Sequence, residues 1–451
     1  MPPVLHYSRL LLAIAIVAGC PGFAAAQDAQ GLRTDEIAEL RAELASLRAE
    51  LEALKQLVAE HTLAASRDQP PGAGQPPPAD PRLEILQTQV AQLAQVKVES
   101  TTRFPLRVFG TIHMHAFANT GEANWMDVPN LVQPRPADGQ TGTFSATVRQ
   151  SRFGFAADGP RIGSARSSAV LAMDFFGGIP GFQTGQVMGL PRLLVGFARV
   201  ETDRLAFQAG QDHVILAPRD PSSLAAFAFP LLFRSGNLYL RAPQARVEAA
   251  VSERVRLTAG VLAPIAGDVP GEDYRFVPPA LGGERSRRPA VQAHLGYASD
   301  TADARRRVAL GMSGHFGWER RGRLDESWAG AIDFAARHEV VGVAGELFTG
   351  RNIDAYGGGI GLSARSSGGW AELQLFPSDR LAGSAGVGMD RLRGDVSALP
   401  RRRARSAYGN IRFALTPELE AGFEYQWLST LPGMGAERSN HHLDWVMVFR
   451  F

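Results

Sequence analysis

Apolar and polar residues alternate with a period of two along most of the chain, from residue 104 to the last residue. Clear examples are the runs at 204–209, 255–261, 407–415 and 419–427, and the chain closes on another at 443–451. Successive side chains of a β-strand point to opposite faces, so each run predicts a strand with one apolar face and one polar or small face. The region 104–451 is therefore predicted to be all-β.

Short and long connections alternate between these predicted strands. Seven short turns, from the one at 158–163 to the one at 416–418, alternate with eight long polar loops. The long loops are predicted at 119–142, 177–191, 213–237, 264–288, 317–327, 349–368, 391–405 and 429–440. Fifteen connections join about sixteen antiparallel strands, and an up-and-down barrel with short turns at one end is the design of outer-membrane proteins.

A soluble sandwich or barrel also shows this alternation, but the charge of the polar face favours a barrel in a membrane. The residues predicted on that face are Arg107, Arg166, Arg204, Arg246, Arg256, Arg307, Arg412, Asp174, Asp212, Glu248, Asp333, Glu372 and Glu424. A dry protein core would not accept seven arginines and six acids, whereas a water-filled lumen would. Aromatic residues also cluster near predicted strand ends, as in interfacial girdles.

The N-terminus predicts export. Residues 10–18 form an apolar stretch after Arg9, and three alanines at 24–26 offer a cleavage site, which defines a signal peptide over 1–26. A lipoprotein box ending at Cys20 is the alternative, and it would make that cysteine a lipidated first residue. The apolar stretch is too short to span a bilayer as a helix.

The segment 27–64 predicts an α-helical coiled coil. Seven apolar residues recur at alternating steps of three and four, and Glu36, Glu43 and Glu50 each precede a basic residue at the facing position. This charge pattern favours a parallel bundle, and a single amphipathic helix packed on a globular body is the alternative. A Pro-rich linker at 65–81 and a second short helix at 82–103 lead to the barrel at 104–451.

The last strand is expected to pair with the first, at 104–117, and so to close the barrel. Its alternate residues, from Leu443 to Phe451, would face lipid, while Asp444 and Arg450 would face water. In outer-membrane proteins generally, an aromatic C-terminus is read by the barrel-assembly machinery, which makes Phe451 the expected contact with that partner.

Several stretches, in this order, resemble the trimeric DcaP-like porins of Gram-negative outer membranes. They are RQSRFGF at 149–155, MDFFGG at 173–178, AGQD at 209–212 with Pro218 beyond, SGN at 235–237, RAPQ at 241–244, GGW at 368–370 and the terminal Phe451. The resemblance implies a homotrimer, a periplasmic coiled coil, and diffusion of small anionic solutes such as dicarboxylates. The segment SLAAFAFPLLF within 213–237 departs from this pattern, because a polar constriction is expected there.

A pore of this kind selects solutes by width and charge, without cofactor or covalent chemistry. If the loop at 213–237 folds into the lumen, Arg219, Arg234 and Arg246 are expected at the constriction, where a planar guanidinium suits a carboxylate. The expected arginines of the wall are Arg107, Arg149 and Arg256. The alternative for each arginine is a solvated wall residue paired with an acid.

Other patterns predict less. His113 and His115 share one strand face, but without a closed ligand set we expect no metal site. The basic run at 401–405 suits lipopolysaccharide phosphates or a solvated loop, and we expect no nucleic-acid partner.

An outer-membrane enzyme such as a phospholipase is an alternative, although no catalytic arrangement can be located from spacing. A structural anchor, tethered through its coiled coil to periplasmic partners or peptidoglycan, is the second functional alternative.

Overall fold

The computed structural model describes residues 105–178, 189–265, 280–299, 305–359, 364–394 and 401–451. They form seventeen strands: β1 Leu106–Asn119, β2 Thr143–Thr147, β3 Arg152–Asp158, β4 Arg166–Asp174, β5 Arg192–Glu201, β6 Leu205–His213, β7 Arg241–Ala250, β8 Val255–Leu262, β9 Ala290–Ala298, β10 Arg306–Arg321, β11 Arg323–His338, β12 Val341–Arg351, β13 Arg365–Ser378, β14 Leu381–Arg393, β15 Arg403–Ala414, β16 Leu419–Leu431 and β17 Arg438–Arg450. A short helix α1 (Gly282–Arg285) and a 3₁₀ turn (Asp354–Tyr356) lie in the connections.

The strands form a closed antiparallel barrel. From β3 onward each strand pairs with the next, and β17 pairs with β1 from Thr111↔Arg450 to Asn119↔His442. Strands β2 and β3 both pair with β1, so they are two halves of one barrel strand interrupted at 148–151. The barrel therefore has sixteen strand positions, which confirms the predicted count and the predicted closure between the first and last strands.

The outer face of the barrel is apolar. Large side chains exposed there include Ile112, Leu310, Leu347, Val387 and Phe423, each from 52 to 59% exposed. A contiguous apolar band of this kind would be unfavourable in water, so the band faces lipid.

The last strand follows the predicted alternation on its outer face. Leu443, Met447 and Phe449 are exposed on the lipid side, as is the terminal Phe451. Asp444 lies on the inner face, but the expectation that it faces water is wrong. Its side chain is fully buried and contacts His115, with 3.1 Å between Oδ2 and Nδ1.

Seven long connections alternate with the seven short turns, and one predicted long loop is wrong. The segment predicted as a loop at 317–327 continues the ladder of β10 and β11 as far as the pair Arg321↔Arg323. Gly322 makes the turn with a φ of +79°, a backbone conformation open to glycine at little cost. A polar β-hairpin that extends beyond the membrane therefore replaces the predicted loop.

The predicted signal peptide, coiled coil, linker and second short helix at 1–103 lie outside the described residues. No helix in the described part of the chain is long and apolar enough to cross a membrane.

Candidate functional site

The connection between β6 and β7, residues 214–240, folds into the barrel and is called the inner loop below. Many of its apolar side chains are fully buried, among them Leu216, Leu232 and Leu238 at 0 to 2% exposure. They pack against the lumen wall, as Leu224 does against the inward-facing Val446 and Val448 of β17. A polar constriction was expected here, but the loop is apolar because it packs on an apolar patch of the lumen wall.

Arg219 fastens the start of the inner loop to an acidic part of the wall. Its backbone N–H donates to Glu346 Oε1 of β12 at 2.7 Å, and its Nε donates to Asp333 Oδ1 of β11 at 2.6 Å. Both carboxylates are buried, at 1% and 4% exposure. The Arg219 side chain is therefore directed at the wall, where it balances a buried acid.

Ser222 and Ser223 continue the attachment along the acidic wall. The N–H and Oγ of Ser222 donate to the two oxygens of Glu372 on β13, at 2.9 and 3.1 Å. Ser223 Oγ donates to Glu424 Oε2 on β16 at 2.7 Å. Each of these carboxylates is 4% exposed. These three hydrogen bonds attach two adjacent residues of the loop to the wall, so this side of the lumen holds the loop firmly.

The interruption of the second barrel strand holds the middle of the inner loop. Gln150 lies in this break, is fully buried, and accepts hydrogen bonds from the N–H groups of Phe227 and Ala228 at 2.8 and 2.9 Å. Arg152, the first residue of β3, donates to the Phe227 carbonyl, and its guanidinium lies 3.9 Å from the centroid of the Phe227 ring. The break thus presents a side-chain acceptor that an unbroken ladder would not place there.

Arg401 holds the end of the inner loop. Its guanidinium is fully buried, pairs with Asp390 of β14 at 2.7 Å, and donates to the carbonyls of Arg234 and Gly357. The expectation of a solvated or lipid-binding run is therefore wrong for this residue. A buried arginine needs a charged partner and several acceptors, and these three provide them.

The wall opposite the acidic side carries a network of charges that the loop leaves accessible. Arg199 of β5 makes two 3.0 Å contacts with Glu248 of β7, and Arg246 contacts both Glu248 at 3.2 Å and Asp212 at 2.9 Å. The two arginine side chains are 19% and 15% exposed. They are paired, yet part of each guanidinium still faces the lumen.

Two cavities lie between this arginine wall and the inner loop. The outer chamber, of about 620 Å³, is lined by long-loop residues such as Trp125 and Asp354, by the inner loop and by β5 to β7. The inner chamber, of about 370 Å³, lies on the short-turn side and is lined by residues such as Glu248 and His294. Tyr239 and Leu240 line both chambers, so they lie at the boundary between the two, which is called the neck below.

Arg241 is the cation beside this neck. Its Nε donates to His213 Nε2 at 3.1 Å, and its guanidinium lies 5.3 Å from the centroid of the Tyr239 ring. Arg192, which also lines the outer chamber, makes a bidentate contact with Asp174 at 2.7 and 3.1 Å. Arg192 is balanced by a carboxylate, whereas the contacts described for Arg241 are an imidazole and an aromatic ring.

Three of the six arginines predicted at the pore line a chamber. Arg149 and Arg234 line the outer chamber, and Arg246 lines the inner one. Arg149 forms a buried ion pair with Asp127 and lies 3.8 Å from the Phe176 ring centroid. Its guanidinium is therefore largely committed to holding the first long loop.

The other three predicted arginines lie elsewhere. Arg219 serves as the attachment described above. Arg107 lies near the short-turn end, 70% exposed and 3.8 Å from Asp158, and Arg256 is 63% exposed beside Glu248 at 3.6 Å. The prediction placed Arg219 at the constriction, but the acidic wall attracts its side chain away from both chambers.

The sequence reasoning missed Arg192, Arg199 and Arg241. Arg192 is the first residue of β5, after a long loop, and it has the same place in the alternation as the buried Leu194, so its inward position was a usable signal. Arg241 is the first residue of β7, but it is out of step with the inward Arg246, so the alternation alone would place it on the outer face. What the sequence did not show was which side of the lumen the inner loop would cover.

His113 and His115 share the inner face of β1, with ring centroids 5.8 Å apart. The His113 ring packs on Phe227 of the inner loop at 4.4 Å, and His115 contacts Asp444. Among the residues that the structure describes, no group of three or more His, Cys, Asp or Glu side chains could hold a metal ion.

No protein-family model matches the sequence, and no curated protein matches it by sequence. The structure matches the outer membrane channel DcaP of Acinetobacter baumannii with a TM-score of 0.62, at 13% identity, over 78% of this chain and 99% of that one. The chain has the porin fold. The anion-selective porin of Comamonas acidovorans matches with a TM-score of 0.52 at 11% identity, over 77% of this chain and 100% of that one.

A third match is OprB of Pseudomonas putida, with a TM-score of 0.51 at 10% identity, over 80% of this chain and 97% of that one. At these identities the porin fold is what the matches share with this chain. The predicted resemblance to DcaP-like proteins is thus confirmed at the level of the barrel.

Proposed function

We propose that this protein is an outer-membrane porin of a Gram-negative bacterium that lets small hydrophilic solutes diffuse passively, with a preference for small organic anions such as dicarboxylates. The observation that carries the proposal is that the inner loop covers one side of the lumen and leaves the other side accessible. The inner loop covers four carboxylates and leaves the arginine wall beside the chambers. The related fold of an anion-selective porin from Comamonas acidovorans is consistent with it.

The electrostatic argument rests on what water and solutes can reach. Asp333, Glu346, Glu372 and Glu424 are each at most 4% exposed, and donors from the loop neutralise part of their field. Arg192, Arg199 and Arg246 keep 15 to 26% of their side chains accessible, and they are paired with four carboxylates, Asp174, Glu201, Asp212 and Glu248. Because these pairs balance each other, the positive field on the path is proposed to come from Arg241, which forms no ion pair among the described residues and attracts anions without binding them too tightly to leave.

The proposed path runs from the outer chamber past Tyr239 and Leu240 into the inner chamber. In this path Arg241 is the selectivity residue at the neck, Arg192 and Arg234 attract anions in the outer chamber, and Arg246 does so in the inner one. Arg107 and Arg256 contribute only a general positive field near the short-turn end, because they are solvated and paired.

Reversal potentials in a planar bilayer under a KCl gradient test the proposal. We expect the wild-type channel to prefer chloride, and Arg241→Gln to reduce the anion-to-cation permeability ratio about two- to fivefold, which corresponds to roughly 0.5–1 kcal/mol. This substitution is suitable because Arg241 forms no ion pair with a carboxylate among the described residues, so the change breaks no salt bridge. Arg107→Gln removes the same charge at an exposed position and is the matched control. A cation-selective wild-type channel would refute the anion preference.

We further propose a homotrimer whose predicted coiled coil at 27–64 lies in the periplasm after removal of the signal peptide at 1–26. The heptad pattern and its charge pairs support this assembly. The terminal Phe451 would be read by the barrel-assembly machinery. Mass measurement of the purified complex in mild detergent tests the oligomer, and a monomer with the coiled coil intact would count against it.

The alternative, a structural anchor, makes a different prediction for the same preparation. An anchor needs no conducting lumen, whereas a sixteen-strand barrel leaves room for an aqueous path beside the loop. A properly assembled protein that gives no channels in the bilayer would favour the anchor.

A further inference from the structure

Six arginines form a patch on the outer face of the barrel at its long-loop end. They belong to four adjacent strands: Arg351 on β12, Arg365 on β13, Arg391 and Arg393 on β14, and Arg403 and Arg405 on β15. Each has the same place in the alternation as the exposed apolar residues of its strand, for example Leu347, Val387 and Ile411. These six residues, called the arginine row below, therefore point away from the lumen.

The strand register brings these like charges directly opposite each other. Arg351 pairs with Arg365, Arg365 pairs with Arg393, and Arg391 pairs with Arg403. Side chains opposite each other in an antiparallel ladder start about 5 Å apart, and like charges in that position are destabilising. An anion bound across the row would relieve this repulsion. Within the described residues, Glu437 is the acid seen against the row, where it contacts Arg403 and Arg405.

Tryptophans place the arginine row at the level of the membrane–water interface. Trp328 pairs with Arg351 at one side of the row. At the other side Trp427 pairs with Ala407, and the Arg405 guanidinium lies 5.7 Å from the Trp427 ring centroid. Tryptophan is enriched where a membrane protein meets lipid headgroups, and the apolar band of the same strands begins just below. The row is thus at the height of lipid phosphates.

An apolar groove of about 470 Å³ lies below the row on β13 to β17. Its floor is made by residues with little or no side chain, Gly383, Ala385 and Gly409, and its sides include Leu373 and Phe423. The near end of the groove, at Gly409 and Ala385, is four residues from Arg405 and six from Arg391, which is about 14 and about 20 Å along the strands. These distances are on the scale of a fatty-acyl chain, so a lipid with its phosphates on the row can reach the near end of the groove.

We propose that the outer face of β12 to β17 binds a lipid of the surrounding leaflet that carries both phosphate groups and acyl chains, with phosphates on the arginine row and a chain in the groove. Arg is suited to this role because its planar fork binds phosphate oxygens bidentately. The charge of the row selects the anionic headgroup, and the groove below distinguishes a lipid from a free phosphate.

Binding of bisphosphorylated lipid A to the full-length protein in non-ionic detergent, followed by native mass spectrometry, tests the row. The triple variant Arg365→Gln/Arg391→Gln/Arg393→Gln should bind it roughly a hundredfold more weakly, since each arginine near an anionic surface contributes severalfold. The matched control, Arg161→Gln/Arg254→Gln/Arg305→Gln, removes three exposed arginines at the short-turn end and should bind normally. Equal affinity of the triple variant and the wild type would overturn the proposal, as would an equal loss in the control.

Gly409→Leu tests the groove. A Cβ at this position would meet nothing closer than the Ser384 carbonyl at 4.0 Å, so the larger side chain can be accommodated. We expect severalfold weaker binding of lipid A and unchanged binding of inorganic pyrophosphate. Unchanged lipid affinity would refute a chain in the groove. Channel conductance should be normal in both variants, so failure of the lipid site is distinguishable from failure of the proposed pore function.

Discussion

The two sides of the lumen carry similar numbers of charges, but the charges of one side are buried and those of the other side remain accessible. On β11, β12, β13 and β16 the inward acids are buried under the inner loop, which donates to them from backbone N–H and side-chain groups. On β5 and β7 the inward arginines stay beside the chambers. The charge that a solute meets is therefore decided by what the loop covers, and a count of inward residues does not show it.

The energetics of the two sides differ as well. A carboxylate buried under the loop must keep its donors, because a buried charge left without them costs several kcal/mol. The pairs of the arginine wall remain partly hydrated, where an ion pair typically contributes about 0–1 kcal/mol. The acidic side thus fixes the position of the loop, while the arginine side contributes a field to the path.

Removing the inner loop should reverse this difference, and this is the largest effect that we expect. The ends of the loop lie together, since the Val214 N–H donates to the Leu240 carbonyl at 3.1 Å, so a short Gly-Ser linker can replace residues 216–238. Exposure of four acids should shift the selectivity toward cations, and conductance should rise severalfold. Bilayer recordings under a KCl gradient measure both quantities.

A matched control shortens a loop that lies outside the lumen. Residues 135–140 of the first long loop are exposed, and their deletion removes one Arg and one Asp, so the net charge is unchanged. This variant should conduct like the wild type. If the variant without the inner loop still preferred anions, the burial of the four acids under that loop could not be the cause of the preference.

A single buried anchor should have a smaller effect. Glu372→Ala leaves the N–H and Oγ of Ser222 without their acceptor, which should lower the free energy of unfolding by about 1–3 kcal/mol and increase current noise as the loop moves. Urea unfolding in detergent and single-channel recording measure the two effects. Glu326→Ala, at an exposed position on β11, is the control, and an equal loss of stability there would contradict the anchoring role.

The barrel could be predicted from the sequence because alternation is a local pattern. The strand count, the closure by β17 and the outward face of Leu443 to Phe451 all followed from it. The site could not be predicted to the same extent, since burial of Asp333 or the attachment of Arg219 depends on where a loop of 27 residues lies in the lumen. Tertiary contacts of that kind leave no period in the sequence.

The smallest effect is expected for a carboxylate that lies outside the lumen altogether. Glu437, between β16 and β17, accepts hydrogen bonds from Ser429 and Arg405, and these lower its pKa from 4.5 to about 2. A lowered pKa stabilises the folded protein above pH 4.5, and that stabilisation is lost as the pH falls through about 2. The Glu437→Gln variant should therefore be less stable than the wild type by under about 1 kcal/mol at pH 7 and 5. The difference should shrink at pH 3, as followed by thermal unfolding. Glu253→Gln, in an exposed turn, is the control variant, and a difference for Glu437→Gln that is the same at pH 7 and pH 2 would rule out the lowered pKa.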